Sequence, residues 1–365
     1  MRGQMKRAPW LWLAIPGFLF ALFSGLQVRK NQAGLDDFNG FFVGARLVFT
    51  GHLYDLPRIL EAQRQTTGVE RVEVSPSRLP FYYVFLSPLT HLDYSTARLV
   101  WLAIIVVAAL LFPFVYPRDS LPLAAAALVS LPLAIATLGA EQDLSLMLLI
   151  LACGMRLRSQ ERAFLAGLIF SLLAIKINLI LLVPVPLLLR REWRVMAGLA
   201  TGGGVLLAIS FLAAGRGWIR EWVALVTKPG VRAGTLNMPN LHGVLNGVPH
   251  SAGWEIVLSA AAVIAVVLAA RRASFELGLA AAMLGSFLLS RHAYVHDCSI
   301  LIPALVEVAI RARGWVARAL AVTLITPFPY FLPPLIWDVR HGLPAAVLIA
   351  ATLATMAGAD RKKTT

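Results

Sequence analysis

The chain has 365 residues, of which 58% are hydrophobic and only 14% charged, with a mean hydropathy of +0.74. The charged share is about half the globular norm of ~25%, and the apolar residues fall in blocks of roughly 14–22, the length of a membrane span. A water-soluble enzyme, a disordered chain and a disulfide scaffold are therefore excluded, and the net charge of +14, from 33 Lys and Arg against 19 Asp and Glu, needs its own explanation.

Apolar runs place the spans, and Lys and Arg in short loops orient them. Arg2, Lys6 and Arg7 precede a first run from Pro9 to Val28. About 20 residues is long for a signal peptide and no small-x-small cleavage site follows, so this run reads as a span with its N-terminus inside. Polar residues 29–97 then form a first outer loop. Runs at 98–116, 121–138 and 143–155 follow, with Pro117-Arg118-Asp119 inside and Gly139 to Asp143 outside. Arg156, Arg158 and Arg162 mark an inner loop.

The stretch from Ala163 to Leu189 is apolar except for Lys176-Ile177-Asn178, and Arg190, Arg191 and Arg194 return the chain to the inner side. Each arm has ~13 residues, or ~20 Å of helix, short of a ~30 Å hydrocarbon core. The pattern predicts two short helices whose tip carries Lys176 near the outer side. A lysine facing lipid is costly, so it should face a polar cavity.

A span at 195–214 leads to a second outer loop at 215–253. Spans at 254–270, 275–290 and 298–310 follow, then a Pro-broken stretch to Leu335, an outer segment from Trp337 to His341, and a last span at 343–358. Arg361, Lys362 and Lys363 close the chain inside. The expectation is an all-α polytopic membrane protein, one integral domain over residues 1–365. It has about 12 transmembrane or re-entrant helices (a range of ~10–13) and both termini cytoplasmic. The excess of positive charge is then the positive-inside signal and says nothing of nucleic acid. Cys153 and Cys298 read as free thiols packed as small hydrophobes.

Most acidic residues and both large polar loops fall outside, so the chemistry faces away from the cytoplasm. No P-loop or dinucleotide fingerprint is present. Asp36 and Asp37 open a helix that Gly51 ends, and acidic side chains suit that position as caps. Gly40 and Gly44 make a small face on it, and Asp37 projects nearer that face than Asp36. Partial burial would raise a carboxyl there toward use as a general base. Tyr82 lies in a short Pro-bounded aromatic segment, and Gln142 at an outer turn between Glu141 and Asp143. Asn240 and His242 stand in a polar turn. The segment from Arg291 to Asp297 starts a helix in which His292 and His296, four apart, could share a face, with Asp297 as a cap. Two histidines without a third ligand do not make a metal site.

These elements together resemble the membrane-embedded glycosyltransferases of the C-type fold, family 87. The resemblance rests on Asp37-Phe38, Leu53-Tyr54-Asp55, the Pro-aromatic segment before Ser87-Pro88-Leu89, and Gln142. It continues in Ala166-Gly167-Leu168 leading to Lys176, Arg190-Arg191-Glu192-Trp193-Arg194, Asn240-Leu241-His242-Gly243, and His292-Ala293-Tyr294 with Asp297. Ile177 stands where such chains often carry a proline after the lysine. The resemblance implies an inverting transfer of a hexose, mannose-like, or another sugar from a polyprenyl phosphate to a hydroxyl of a lipid or glycan. The reaction would run on the outer face of a bacterial cell membrane without cofactor, metal or nucleic acid. Asp37, or Asp36, would be the base. Lys176, Arg291, His292, His296, Gln142, Tyr82, Asn240 and His242 would hold the donor phosphate and sugar. A polytopic transporter or lipid flippase is the alternative, since an intramembrane lysine in a broken helix serves it equally well.

Overall fold

The computed structural model describes residues 10–31, 37–117, 119–228, 230–231, 235–331 and 342–358. Asp36, the basic residues of both termini and the segment from Trp337 to His341 lie outside them. Among the described residues the fold is wholly helical, without strands.

The chain opens with α1 (Trp10–Asn31), followed by a cap of short elements: α2 (Asp37–Leu47), α3 (Leu56–Thr67) and α4 (Pro80–Leu86). The long apolar helix α5 (Tyr94–Val115) and the short apolar helix α6 (Ser120–Val129) come next. The chain bends by 69° into α7 (Leu131–Ala134), which widens into a π-turn over Ile135–Gly139. Ser130 and Pro132 cause the bend: the Ser130 hydroxyl accepts from Leu133 N at 3.3 Å, and Pro132 has no N–H to continue the ladder. The run expected as one span at 121–138 is therefore two rods.

The second half holds α8 (Leu144–Ser159), α9 (Ala163–Ser171), α10 (Pro184–Leu189) and α11 (Trp193–Ala214). Then come the short α12 (Trp218–Val226) and α13 (Leu241–Leu245). The bundle is completed by α14 (Ser251–Arg272), α15 (Phe275–Leu289), α16 (Ile302–Arg311), α17 (Trp315–Ile325) and α18 (Leu343–Gly358). A tight helical stretch over Leu172–Leu179 joins α9 toward α10, and its backbone breaks at Lys176 (φ −130°, ψ 70°). The interruption expected at Lys176 is thus a real break between short helices.

Three helices, α5, α11 and α14, are long and apolar enough to cross a membrane alone, and the bent pair would make four. The expectation of about twelve crossings reaches beyond what helix length supports, because prolines and tight turns divide the remaining apolar runs. On α5 the stripe Ala97, Trp101, Ile105, Ala108 and Phe112 is buried at helical spacing, while Leu99, Val107, Leu110 and Phe114 are exposed. Ile256 and Val257 of α14 and Leu212 of α11 are likewise exposed. Apolar helices with apolar outer faces belong in a lipid surround. By contrast α15 is buried from Gly278 through Leu288 and forms the centre of the bundle.

Ion pairs fix which turns share an end. Arg158 pairs with Glu192, joining the α8–α9 and α10–α11 turns. Arg190 donates to backbone carbonyls of Ala270 and Ala273, and Arg272 to that of Ala357. Arg311 pairs with Asp119, which brings in the α5–α6 turn. The opposite end gathers Asp37, Arg78, Gln142, Lys176 and Asp297.

In lipid the drive for helix association is close packing, which favours small residues at crossings. At the α9–α11 crossing a Cβ on Gly167 would stand 2.0 Å from Val195 O, and one on Gly198 2.0 Å from Phe164 O. Gly167→Leu should therefore separate the two helices, at more than the ~1–3 kcal/mol of ordinary overpacking. Size-exclusion profiles and thermal melts in detergent check this; a variant as monodisperse and heat-stable as wild type would contradict the crossing.

Candidate active site

A cavity of about 530 Å³ opens at the end of the bundle away from the Arg158–Glu192 pair. Asp37, Arg78, Gln142, Lys176 and His296 line it, with Trp222 and Asn178 at its sides. Each polar group comes from a place where regular helix fails. That follows from geometry, since a continuous span points its backbone polar groups at itself and leaves no room for converging side chains.

The π-turn supplies the first part. The carbonyl of Ala140, the residue that caps it, accepts from Asp37 N at 3.0 Å and so docks the start of α2. Glu141 adopts a left-handed backbone (φ 53°), is fully buried, and receives Arg98 Nε at 3.0 and 2.9 Å. Trp101 Nε1 donates to its carbonyl at 2.8 Å. Pinned on both sides, Glu141 turns the next two residues, Gln142 and Asp143, inward.

The loop before α4 supplies the second part. Tyr83 Oη accepts from Arg78 N at 2.9 Å, Tyr54 Oη donates to Arg78 O at 2.7 Å, and Trp222 Nε1 donates to Ser77 O at 2.9 Å. This fixes Arg78 with its guanidinium buried beside the Phe41 ring at 5.3 Å. Its Nε and Nη2 bind both oxygens of Asp143 at 2.7 and 3.0 Å, a planar two-point pairing. Nη2 also donates to Gln142 Oε1 at 3.1 Å.

Lys176 comes from the opposite side, at the break after α9. Its Nζ donates to the same Gln142 Oε1 at 3.1 Å and to Asp297 Oδ1. The other Asp297 oxygen accepts from Tyr294 N at 2.8 Å. Asn178 Nδ2 ties the break to Ser290 Oγ at 2.8 Å and His292 O at 2.7 Å. The result is one chain of buried charge, Asp143–Arg78–Gln142–Lys176–Asp297.

Asp37 at the cavity and Asp143 and Asp297 behind its wall stand outside the spanning helices and divide into two kinds. Burial alone would raise Asp143, but Arg78 and Lys176 hold it below its ordinary value. Burial acts the same way on Asp297, and Lys176, by its charge and its hydrogen bond, overcomes it. Asp37 is different. Burial pushes it up to about 7, and the more distant Lys176 and Arg78 only moderate the rise. Its carboxylate touches the cavity yet is surrounded by protein, so the cavity face does not remove the desolvation cost. Among the described residues no hydrogen bond or ion pair reaches it. His296 is pulled down to about 4, burial again being the first cause, so its ring is neutral at pH 7. Two ionised carboxylates beside one poised near neutrality separate a structural pair from an acid–base candidate. Among the described residues no group of three or more His, Cys, Asp or Glu could hold a metal ion.

Of the residues singled out from sequence, the structure brings Asp37, Gln142, Lys176, Arg291, His292 and His296 to this cavity. Arg291 lies at the rim, largely exposed, 3.4 Å from Glu255. The others stand apart. Tyr82 is buried behind the wall, edge-on to Phe41. Asn240 caps α13 through Gly243 N at 2.8 Å and donates to Ala293 O at 3.4 Å. His242 faces Glu255 at 3.4 Å. The segment expected to begin a helix at Arg291 bends at Arg291 and His292 and stays non-helical through the extended Tyr294, and tight helical turns start only at Val295. That places Tyr294 between His292 and His296, with ring centroids 5.0 and 5.7 Å away. Sequence reasoning treated Asp143 and Asp297 as turn and cap residues and passed over Arg78. An arginine in a polar loop is unremarkable in a sequence; only its position just before the Pro80 aromatic segment hints at burial.

Removing one partner of a buried pair strands the other charge. Asp143→Ala should cost about 3–5 kcal/mol of stability. The double substitution Arg78→Met with Asp143→Leu should cost less than the single one, because no charge is left unpaired. Thermal melts of the three proteins in one detergent check the order. A double variant less stable than Asp143→Ala would show that the pair itself, rather than the stranded arginine, carries the effect.

A family model described as Glycosyltransferase family 87 matches residues 80–295, more than half of the chain. No curated protein and no solved structure matches it. The matched span contains Gln142, Asp143, Lys176 and His292, while Asp37, Arg78, His296 and Asp297 fall outside it. A helical bundle with lipid-facing apolar helices and one polar cavity agrees with that match, and the transporter reading is set aside: the chain belongs to glycosyltransferase family 87.

Proposed function

We propose that the cavity transfers a sugar from a polyprenyl-phosphate donor to a hydroxyl of a lipid or glycan acceptor, with inversion, on the outer face of a bacterial cell membrane. The observation that carries this reading is the contrast between Asp37, poised near neutrality, and the paired cations across the same cavity. In the transfer, Asp37 takes the proton of the acceptor hydroxyl as its oxygen attacks the anomeric carbon. The bond from that carbon to the phosphate oxygen breaks, and its electron pair leaves with the phosphate. A phosphate leaving group needs no proton, only positive charge as it departs. Lys176 has three ammonium protons, two of them committed to Gln142 and Asp297, so one remains for the phosphate. The rim cation Arg291 and the neutral ring of His296 add donors on the same side. Asp36 is the alternative base in the sequence and lies outside the described residues.

The sign of the pH dependence follows from the role. Asp37 must be ionised to accept a proton, so turnover should rise with pH through an inflection near 7. Asp37→Asn should lower turnover by about 10²–10⁴-fold, the usual contribution of a general base. Because the buried carboxyl resists ionisation, the same variant should melt higher than wild type at pH 8. The assay is transfer from a panel of polyprenyl-phosphate sugars by purified protein in membranes. Unchanged turnover in Asp37→Asn would eliminate it as the base; a profile flat between pH 5 and 9 would do so independently.

A further inference from the structure

The residues around the candidate active site form two walls that meet at Gln142, which accepts from Arg78 on one and from Lys176 on the other. Asn178 ties the Lys176 wall to Ser290 and His292. The Arg78 wall joins residues 71–77 to the region of α12. Trp222 Nε1 donates to Ser77 O at 2.9 Å, and a Cβ on Gly230 would stand 3.9 Å from Val72 Cγ1. The fully buried Gln63 of α3 clamps the tight turn Val72–Val74 at both ends. Its Oε1 accepts from Arg71 N at 2.8 Å, and its Nε2 donates to Val74 O at 3.3 Å.

In the proposed transfer the Lys176 wall holds the donor phosphate, and the other wall has no task. Inversion assigns it one. The acceptor oxygen reaches the anomeric carbon on the face opposite the departing group. With the phosphate at Lys176, the acceptor enters along the Arg78 wall. Asp37 is placed to meet it, because Gly40, three residues along α2, packs on this wall: a Cβ there would stand 2.3 Å from Val74 O. Trp222, Arg71 and Glu73 line the cavity on this side. Among the described residues no aromatic ring or cation stacks on the indole, and no hydrogen bond or ion pair engages the side chain of Arg71 or Glu73. A sugar ring offers the matching surface. Its face of polarised C–H groups packs on the negative face of an indole, and its vicinal hydroxyls both donate and accept. A carboxylate beside a guanidinium serves both roles, while the carboxylate repels an anion. The single hydroxyl of a diacylglycerol would use neither the indole face nor both charges.

We propose that this wall is the acceptor subsite and that its ligand is a sugar ring, which Trp222 supports by its face while Glu73 and Arg71 bind its hydroxyls. The assignment rests on the transfer proposed above and narrows its acceptor to a glycan. The clamp by Gln63 and the Trp222–Ser77 bond hold the subsite ready before the ligand arrives, which lowers the cost of binding.

The test uses the full chain in nanodiscs with polyprenyl-phosphate sugars as donors. The acceptors are a panel of octyl hexosides and octyl pentosides, set against dioctanoylglycerol. Wild type should transfer to at least one octyl glycoside and not to dioctanoylglycerol. W222A should raise the KM for that glycoside about 10-fold or more, W222F should keep it within about 3-fold of wild type, and neither should change the donor KM. E73Q should raise the same KM about 10-fold, since a hydrogen bond to a charged group is worth about that factor. It decides the matter even if W222A fails to fold. Preferred transfer to dioctanoylglycerol, or an acceptor KM unmoved by W222A and E73Q, would overturn the subsite and leave the transfer standing. Equal rises in donor and acceptor KM would assign these residues to the fold and overturn the subsite as well. Calorimetric binding of the same glycosides forms the second arm. Binding that depends on Trp222, in a protein that transfers from no donor, would overturn the transferase reading and keep the sugar site; absence of both would overturn both.

Discussion

Two cations and two carboxylates joined through one glutamine oxygen set the terms for this fold. A buried ion stripped of its partner costs several kcal/mol, so Arg78, Asp143, Lys176 and Asp297 must reach their places together. They come from segments far apart in sequence, and Gln142 Oε1 is where the two pairs meet, accepting from Arg78 and Lys176 at 3.1 Å each. Every local irregularity near the cavity serves this convergence. The π-turn and the left-handed Glu141 deliver Gln142 and Asp143. The break at Lys176 turns its side chain out of the apolar run, and the extended residues before Val295 let Asp297 bind backbone and lysine at once. In a membrane such irregular backbone is tolerated only where it lines a cavity or is buried in protein.

The pairing also limits how strongly the cavity can hold an anion. Had Lys176 and Arg78 been unpaired, a phosphate would bind tightly before and after transfer, and binding both states equally does not accelerate the chemistry. With Asp143 and Asp297 ionised beside them, the local charge is close to balanced while fixed donors remain. Such donors act most where new negative charge develops, which in the proposed transfer is the phosphate oxygen as its bond to the sugar breaks. Asp37, set apart from both pairs, keeps a raised affinity for a proton because burial disfavours its charge more than Lys176 and Arg78 offset.

How much of this was legible in the sequence depends on what each residue costs where it stands. Lys176 was legible because a lysine inside an apolar run is expensive unless it meets a polar partner. Asp37 was legible through the small face of Gly40 and Gly44 beside it: a Cβ on Gly40 would stand 2.3 Å from Val74 O, so α2 packs closely against the loop that leads to Arg78. Arg78 was not, because a charge in a polar loop costs nothing until the fold buries it. Asp143 and Asp297 sit at helix starts, where an acidic residue has a sufficient local explanation. The long helices α5, α11 and α14 follow from unbroken apolar length. The bend at Ser130 and the tight turns after α9 do not, because hydropathy counts apolar residues without registering a proline-induced change of direction.

The net positive charge has a structural use that its topological reading does not require. At the end of the bundle opposite the candidate active site, several arginines donate to the last carbonyls of helices. Arg190 reaches Ala270 and Ala273 at the end of α14, Arg272 reaches Ala357 in the last turn of α18, and Arg318 reaches Ala312 after α16. A helix leaves its last four carbonyls unsatisfied, and that end carries partial negative charge. Where the chain emerges from lipid, water alone has to cover those groups unless side chains do. An arginine from a neighbouring helix both satisfies the carbonyl and ties two helix ends together, which an aspartate or glutamate cannot do. A bundle built from short, broken helices has many such ends, so it calls for many cations at the side where they gather. The charge excess is in this sense a consequence of the same interruptions that open the cavity at the other end.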